Sequence, residues 1–271
     1  TQRPRRYLAA WFPWLPSDRL AREALERRTT LSDAAPEDRP PVALVEKIGG
    51  ALRLAAVDPA ARRLGLTPGM TLADAQARTP ALRTVVHRPI RDDALLTAAL
   101  EDFGRFTPMI APDPPHGLML DVTGCAHLFG GEAGLMRRVQ ARAADAGLQI
   151  RLALAGTPQC ARALARFGPG GRFAPGQDRA AARRLPVAAL ELPLKAEQAL
   201  RRAGLKRLAD LDDRPRAPLA ARFGADFSAR LARLLGDEDV RITPHRPPPP
   251  IVVDRVFLEP LCAAEDLSLI H

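Results

Sequence analysis

The chain passes from a strand pattern to a helix pattern at Asp121-Val122-Thr123-Gly124-Cys125-Ala126-His127-Leu128-Phe129-Gly130-Gly131. The residues of Leu118–Val122 form a short apolar run, which is typical of a buried strand. Glu132–Ala146 has helical spacing and ends before a glycine. The glycines between the two segments predict a tight turn, and we interpret Asp121 as its capping residue.

The same alternation of strands and helices continues on both sides of this turn. Tyr7–Phe12 predicts a strand, and Ser17 is a cap signal for the helix that follows it. Two further strands are predicted as a hairpin around Gly49-Gly50. The remaining predicted segments are strands at Val42–Lys47, Leu52–Val57 and Gln149–Ala155, and helices at Ala60–Leu64, Thr71–Arg78, Arg91–Phe106 and Gln159–Phe167. This order predicts an α/β unit that closes at a glycine-rich loop, Gly168–Gly171.

The composition after this loop is helical. Leu200–Leu211 reads as a helix, a turn at Gly204 and a second helix, a pattern typical of a helix-hairpin-helix. In such a hairpin the backbone amides of Gly204, Leu205, Lys206 and Arg207 would face a phosphate at a helix N-terminus. The alternative is a plain helical hairpin inside a small bundle, and the sequence leaves both interpretations open.

The charge balance favours a polyanionic partner. The formal net charge is +9, and all but three of the 40 basic residues are arginines. Arginine binds phosphate through two parallel hydrogen bonds, so nucleic acid or an anionic membrane fits this composition, although GC-rich coding would also produce it. No apolar run approaches a membrane span and no signal-peptide core follows the N-terminus, so we expect a cytoplasmic protein without a membrane partner.

The cysteines do not predict a cofactor or a metal. Cys125, Cys160 and Cys262 are too few and too scattered for a disulfide framework or a paired-cysteine zinc site. A proline run, Pro247–Pro250, predicts a stiff linker, and Ile251–Phe257 predicts the first strand of a further domain. We therefore expect the sequence to be a fragment that stops inside that domain.

Three stretches in a fixed order, Ala61–Met70, Asp121–Gly131 and Ala155–Pro158, resemble the palm and fingers of Y-family DNA polymerases. The resemblance covers about residues 6 to 258 and puts the helix-hairpin-helix in the place of the small all-helical thumb. It implies an α/β palm and fingers in residues 1–172, a thumb in residues 173–243, and the linker with the start of a truncated little-finger domain in residues 244–271.

The same resemblance implies that the metal-binding carboxylates are missing. Active members hold two cations with carboxylates during phosphoryl transfer. The first of these positions is Trp11 here, and the Asp-Glu pair that precedes the turn is His116 and Gly117. Of the residues that grip the triphosphate, Arg62 remains, whereas the tyrosine place before it is Pro59. The resemblance therefore implies no catalytic residue, no metal and no cofactor.

A retained scaffold with an emptied site is similar to the ImuB branch of the family, which is catalytically inactive. The similarity implies a DNA-binding adaptor in error-prone translesion synthesis and DNA repair. It further implies a sliding clamp, a replicative-type polymerase and a RecA-like accessory protein as partners, through regions that we expect outside this sequence.

Two other functions remain open from the sequence. One is an active Y-family translesion polymerase with displaced metal ligands, for which Asp18 or Asp121 would serve; period-two alternation puts Asp121 on the opposite strand face from His116. The other is a helix-hairpin-helix repair enzyme such as a glycosylase, with Lys206 and Asp210 near a base pocket.

Overall fold

A computed structural model describes residues 4–26 and 40–246 of the chain. The first part of the described chain contains β1 (Tyr7–Trp11), α1 (Leu15–Glu26), β2 (Val42–Ile48), β3 (Ala51–Val57), α2 (Pro59–Arg63), α3 (Leu72–Arg78), β4 (Arg83–Val86) and α4 (Pro89–Phe103). The middle part contains β5 (Ile110–Pro112), β6 (Gly117–Asp121), a 3₁₀ helix (Ala126–Phe129), α5 (Glu132–Asp145), β7 (Arg151–Ala155), α6 (Pro158–Phe167) and β8 (Gly171–Arg172). The last part contains α7 (Asp178–Arg183), a 3₁₀ helix (Val187–Leu190), α8 (Leu194–Arg202), α9 (Leu208–Asp212), α10 (Arg216–Phe223) and α11 (Ala225–Leu235).

A five-stranded sheet in the order β5-β6-β1-β7-β8 forms the unit predicted as the palm. Strand β1 lies in its centre, antiparallel to both β6 and β7. Because successive strand residues point to opposite faces, Leu8 and Ala10 enter one core while Tyr7 and Ala9 enter the other. The first core lies under α4 and α5, and the second lies under α6.

A second sheet, in the order β3-β2-β4, forms the unit predicted as the fingers. Strands β2 and β3 make the predicted antiparallel hairpin, whose turn residues Gly49 and Gly50 both have positive φ. Strand β4 is parallel to β2. This unit has a small core of its own, made by Ala43, Val45, Leu54, Val57, Ala61, Leu66, Ala75 and Leu82.

The helices α7 to α11 form the unit predicted as the thumb. Their buried side chains, including Leu200, Leu208 and Phe227, belong to the same core as the α6 face of the palm sheet. The hairpin segment is tied to the start of the thumb, since the Val187 N–H donates to the Lys206 carbonyl at 3.0 Å. In the described residues no helix has the length and apolar character that crossing a membrane requires.

Most predicted elements are confirmed to within a few residues, with five differences. Strands β4, β5 and β8 were not predicted, because all three are short and β4 and β8 are mostly exposed. The predicted cap at Ser17 is wrong: α1 begins at Leu15, and the Ser17 hydroxyl donates to the Trp14 carbonyl at 2.9 Å. Helix α4 starts at Pro89 rather than Arg91, since proline is favourable in a first helical turn. It ends at Phe103, three residues before the predicted end at Phe106.

The predicted domain boundaries stay predictions. Strand β8 pairs with β7 and therefore extends the palm sheet to Arg172, the last residue of the predicted palm and fingers. The proline run and the predicted strand at Ile251–Phe257 lie outside the described residues.

Candidate functional site: the end of the palm sheet and the thumb hairpin

The three positions that the resemblance assigns to metal ligands lie together at one end of the palm sheet. In the strand register, Trp11 lies opposite Gly117 on one side and Arg151 on the other. The Phe12 N–H donates to the His116 carbonyl at 2.8 Å, which fixes the residue before β6 against the end of β1. We call this end of the palm sheet, which carries Trp11, His116 and Gly117, the sheet-end site.

Trp11 contributes an aromatic surface to this site instead of a ligand. Its side chain is partly buried against the core shared by palm and thumb. The guanidinium of Arg151 lies over the indole at 5.7 Å from the ring centre, and it also donates to the Gly168 carbonyl. An indole offers no lone pair to a cation at this position.

Gly117 has no room for a side chain. A Cβ atom at this residue would lie 2.6 Å from the Asp113 carbonyl oxygen and 3.2 Å from Nη2 of Arg166. Real Cβ atoms do not approach backbone oxygens so closely, and backbone cannot move aside as a flexible side chain does. The close approach of the Asp113 backbone therefore requires glycine here.

Arg166 of α6 occupies the space beside Gly117. Only 6% of its side chain is exposed. Its Nη2 donates to the carbonyls of Asp113, Pro114 and Pro115 at 2.8, 3.0 and 3.2 Å, and it pairs with Asp113 Oδ2 at 3.1 Å. Burial lowers the pKa of Arg166, mostly through desolvation. The space beside Gly117 is therefore filled by the Arg166–Asp113 ion pair.

His116 does not supply a replacement for the missing ligands. Its φ is +57°, and it is half-buried. Burial lowers the pKa of His116, which keeps the imidazole neutral at pH 7. Across residues 4–26 and 40–246, no three His, Cys, Asp or Glu side chains are grouped so as to hold a metal ion.

The two candidate displaced carboxylates are both engaged elsewhere. Asp121 lies opposite Tyr7, at the other end of β6 from Gly117, and its Oδ1 accepts from the Thr123 N–H at 2.9 Å. This confirms the interpretation of Asp121 as a turn cap. Asp18 is buried in α1, and its oxygens accept from the Gln149 backbone N–H at 2.9 Å and from the Gln149 amide at 3.1 Å.

Arg62 lies on α2 in the fingers, where it is exposed. Asp58 caps this helix by accepting from the Ala61 N–H at 2.7 Å, and Pro59 occupies the first helical position. Arg62 makes no ion pair in the part of the chain that the structure describes. Its side chain is therefore available to an anion, but the structure does not bring it into the sheet-end site.

The thumb hairpin exposes two cations. Lys206 and Arg207 are exposed, and within the described chain neither forms an ion pair. Gly204 adopts φ +78°, the left-handed conformation expected of a hairpin glycine. Leu205 is buried among the thumb leucines with 5% exposure, so its side chain serves the core and cannot contact a ligand.

The backbone amides of the hairpin are not free, contrary to the prediction from sequence. The Gly204 and Leu205 N–H groups donate to the carbonyls of helix α8 at 3.1 and 3.0 Å. The Lys206 and Arg207 N–H groups both donate to Asp210 Oδ2, at 2.8 and 2.9 Å. These bonds hold the pKa of Asp210 below its ordinary value. The Asp210 carboxylate thus occupies the place expected for a phosphate, as an acidic residue in a first helical turn can.

Sequence reasoning missed one cluster in the site. Arg162 and Arg166 extend from α6 to Asp113 of the palm and Glu191 of the thumb. The four-residue spacing of the two arginines on a predicted helix places both on one helix face, which was the only available signal. Their acidic partners are distant in sequence and could not be identified from it.

Comparison with known proteins gives three findings. The family model impB/mucB/samB matches residues 37–166. Protein ImuB of Caulobacter vibrioides is 44% identical over 206 residues, which cover 76% of this chain and 45% of that protein, so the chain spans about half the length of this relative. Among solved structures, DinB from Sulfolobus solfataricus aligns with a TM-score of 0.66 and 17% identity, covering 86% of this chain and 67% of that chain.

A structure titled as an insertion ternary complex of Dbh DNA polymerase aligns with a TM-score of 0.71 and 16% identity, covering 88% of this chain and 69% of that chain. Sequence identities this low support a shared fold only. The predicted α/β architecture with polymerase-like palm and fingers is therefore confirmed at the level of the fold.

Proposed function

Since residues 37–166 match the impB/mucB/samB family model and the chain shares its fold with Dbh DNA polymerase, we propose that the chain binds DNA without polymerising it. In this proposal it is a non-catalytic adaptor in translesion synthesis and DNA repair. The similarity to Protein ImuB over most of this chain supports the proposal.

One observation carries the proposal. The backbone of Asp113 and the guanidinium of Arg166 occupy the space that a side chain at position 117 would need. A two-metal site requires carboxylates that converge on two cations a few ångströms apart. Here Trp11, His116 and Gly117 supply no carboxylate, and the space beside Gly117 holds Arg166 paired with Asp113, so within the described residues the sheet-end site lacks the free carboxylates that polymerisation requires.

The DNA-binding part of the proposal rests on the exposed cations of the thumb. Several thumb arginines are paired within the chain: Arg179, Arg183 and Arg216 with Asp212, Asp213 and Asp237. Lys206 and Arg207 at the hairpin have no such partner among the described residues. Unpaired cations on a protruding turn gain free energy by releasing counterions from DNA, without reading bases.

The partners of the whole protein are further proposals. This chain covers 45% of the length of Protein ImuB. We propose that a sliding clamp, a replicative-type polymerase and a RecA-like accessory protein bind through regions outside this chain. A DNA-binding role also favours a cytoplasmic location.

A primer-extension assay tests the proposal. The purified chain, incubated with primed template, all four nucleotides and Mg²⁺ or Mn²⁺, is expected to add no nucleotide. The variant Trp11→Asp/His116→Asp/Gly117→Glu is expected to bind no Mn²⁺ in a calorimetric titration, because Arg166 and the Asp113 carbonyl still fill the site. An active Y-family polymerase in the same buffer serves as the positive control.

Template-dependent extension by the parent chain that disappears in Asp121→Asn or Asp18→Asn would contradict the proposal, since it would establish displaced ligands. Absence of DNA binding in low salt would contradict its other half. The two measurements are independent, so either half can fail alone.

A further inference from the structure

Glu191 adopts a backbone conformation that glutamate rarely adopts. Its φ is +48° and its ψ is +47°, in the left-handed region. For residues other than glycine this region is disfavoured, and such residues persist where the surroundings hold them there. Within the described residues only His116 shares this property, and it lies in the sheet-end site.

The side chain of Glu191 joins the thumb to the palm. Its Oε2 accepts from Arg162 at 2.7 Å, and its Oε1 pairs with Arg166 at 3.3 Å. Both arginines also pair with Asp113, beside Gly117. The Glu191 carbonyl accepts from Arg230 of α11 at 3.2 Å. One residue therefore contacts a palm helix through its side chain and a thumb helix through its backbone.

Glu191 also follows directly the short segment that contacts the hairpin. It directly follows the 3₁₀ helix Val187–Leu190, whose first residue donates to the Lys206 carbonyl at 3.0 Å. Pro186, one residue earlier, forms an antiparallel bridge with Arg207. A single ordered turn thus separates the hairpin from the ion pairs at the sheet-end site.

The ion pairs fix geometry more than they add free energy. Exposed ion pairs contribute little, and a buried pair often only offsets its own desolvation. Removal of one partner is different, because it leaves the other charge buried without compensation. With 6% of its side chain exposed, Arg166 cannot turn to water when Glu191 is replaced, and among the described residues Arg162 and Arg166 are then left to share Asp113 as their carboxylate.

From these contacts we propose that Glu191 is a positioning residue, which holds the thumb against the palm at the vacated sheet-end site and thereby sets the direction in which the hairpin presents Lys206 and Arg207. Only this last consequence rests on the proposed DNA binding. The hold on the thumb is a property of the free protein.

Replacement of Glu191 by glycine distinguishes positioning from a local effect. Glycine adopts positive φ without strain, so if the side chain had no role, Glu191→Gly would raise the thermal midpoint. We expect a lower midpoint, and hydrogen exchange at least tenfold faster in residues 185–190 and 205–208, with amides of β2 in the fingers, which have a separate core, as the internal reference. Glu197→Gln, which breaks the exposed intrahelical pair with Arg201, is the matched control and is expected to leave both unchanged.

A second variant tests the same contacts in case Glu191→Gly fails to fold. Arg162 is partly exposed, and Arg162→Met keeps the Arg166–Glu191 pair, so it is expected to give a smaller increase in exchange at the same amides. An equal or higher midpoint for Glu191→Gly with unchanged exchange would overturn the positioning role.

DNA affinity provides the last measurement. Faster exchange together with a three- to tenfold weaker affinity for primed DNA supports both parts. Faster exchange with unchanged affinity would overturn the link from Glu191 to the hairpin, while leaving the hold on the thumb established. Since the exchange is measured without DNA, failure of the proposed function cannot be mistaken for failure of this inference.

Discussion

At the scale of single residues, the fold stabilises the protonated form of the Asp18 carboxyl group. Burial raises the pKa of Asp18 to about 6, although the two hydrogen bonds from Gln149 act in the opposite direction. The pKa in the folded state is thus above the model-peptide value of 3.8. The contribution of this group to stability is therefore complete below pH 4 and is lost as the pH rises through about 6.

We expect Asp18→Asn to raise the free energy of unfolding at pH 8 by about 1–3 kcal/mol, because the asparagine carbonyl oxygen still accepts from the Gln149 backbone N–H and the buried charge is removed. At pH 4 the gain should be small. Urea unfolding at both pH values measures the difference. Asp145→Asn, at an exposed position, is the control, and an equal gain at pH 4 and pH 8 would show that burial of the charge is not the cause.

Gly117 illustrates what a residue reveals in sequence and what it does not. The resemblance alone implied that a glycine here replaces a metal ligand. The reason why glycine is required depends on Asp113, four residues earlier, and on Arg166, which arrives from a helix in another part of the chain. The resemblance located the sheet-end site, but the groups that fill it follow only from the tertiary structure.

At the scale of elements, the hairpin between α8 and α9 carries a direct prediction. We expect Lys206→Glu/Arg207→Glu to weaken binding to all DNA sequences alike and to reduce the slope of log affinity against log salt by about two, one for each lost phosphate contact. The physical reason is the loss of two unpaired cations. A fluorescence anisotropy titration over several salt concentrations measures the slope.

Lys195→Glu/Arg222→Glu is the matched control for this prediction, since it changes the charge of the thumb equally at exposed positions outside the hairpin. Circular dichroism must show that both variants keep the parent fold. Equal salt slopes for the two variants would assign the binding to overall charge and not to the hairpin.

The elements that sequence predicted well are those with a strong period or a clear end. Helices α5 and α6 have apolar residues at helical spacing and glycines after their last turns. Strand β5 spans three residues, too few to show a period. The hairpin was located correctly, but its amides were assigned to a phosphate because the capping role of Asp210 was not recognised.

At the scale of the whole molecule, palm and thumb share one core. Buried side chains from β1, β7 and α6 and from the thumb helices belong to a single cluster, whereas the fingers have a separate and smaller one. We therefore expect palm and thumb amides to exchange through one common opening of high free energy, and fingers amides through a less costly local opening. Hydrogen exchange at increasing denaturant measures both, and a separate transition for the thumb would contradict the shared core.

Sequence indicated the total charge of the molecule but could not show its distribution. A count of charges does not reveal which arginines are paired, and pairs such as Arg179 with Asp212 connect residues more than thirty positions apart. The composition therefore indicated a polyanionic partner for the whole chain. The structure identifies which cations of the thumb are unpaired, and those of the hairpin are among them.

The crowding at Gly117 has a consequence for evolution. A side chain at this position clashes while the Asp113 backbone and Arg166 stay in place, and loss of Arg166 alone leaves Asp113 and Glu191 to share Arg162 as their cation. Replacements at Gly117 and Arg166 therefore depend on each other, which is epistasis between residues in contact. Selection acts on one substitution at a time, so we expect a carboxylate at position 117 to arise only in sequences in which Arg166 has already changed.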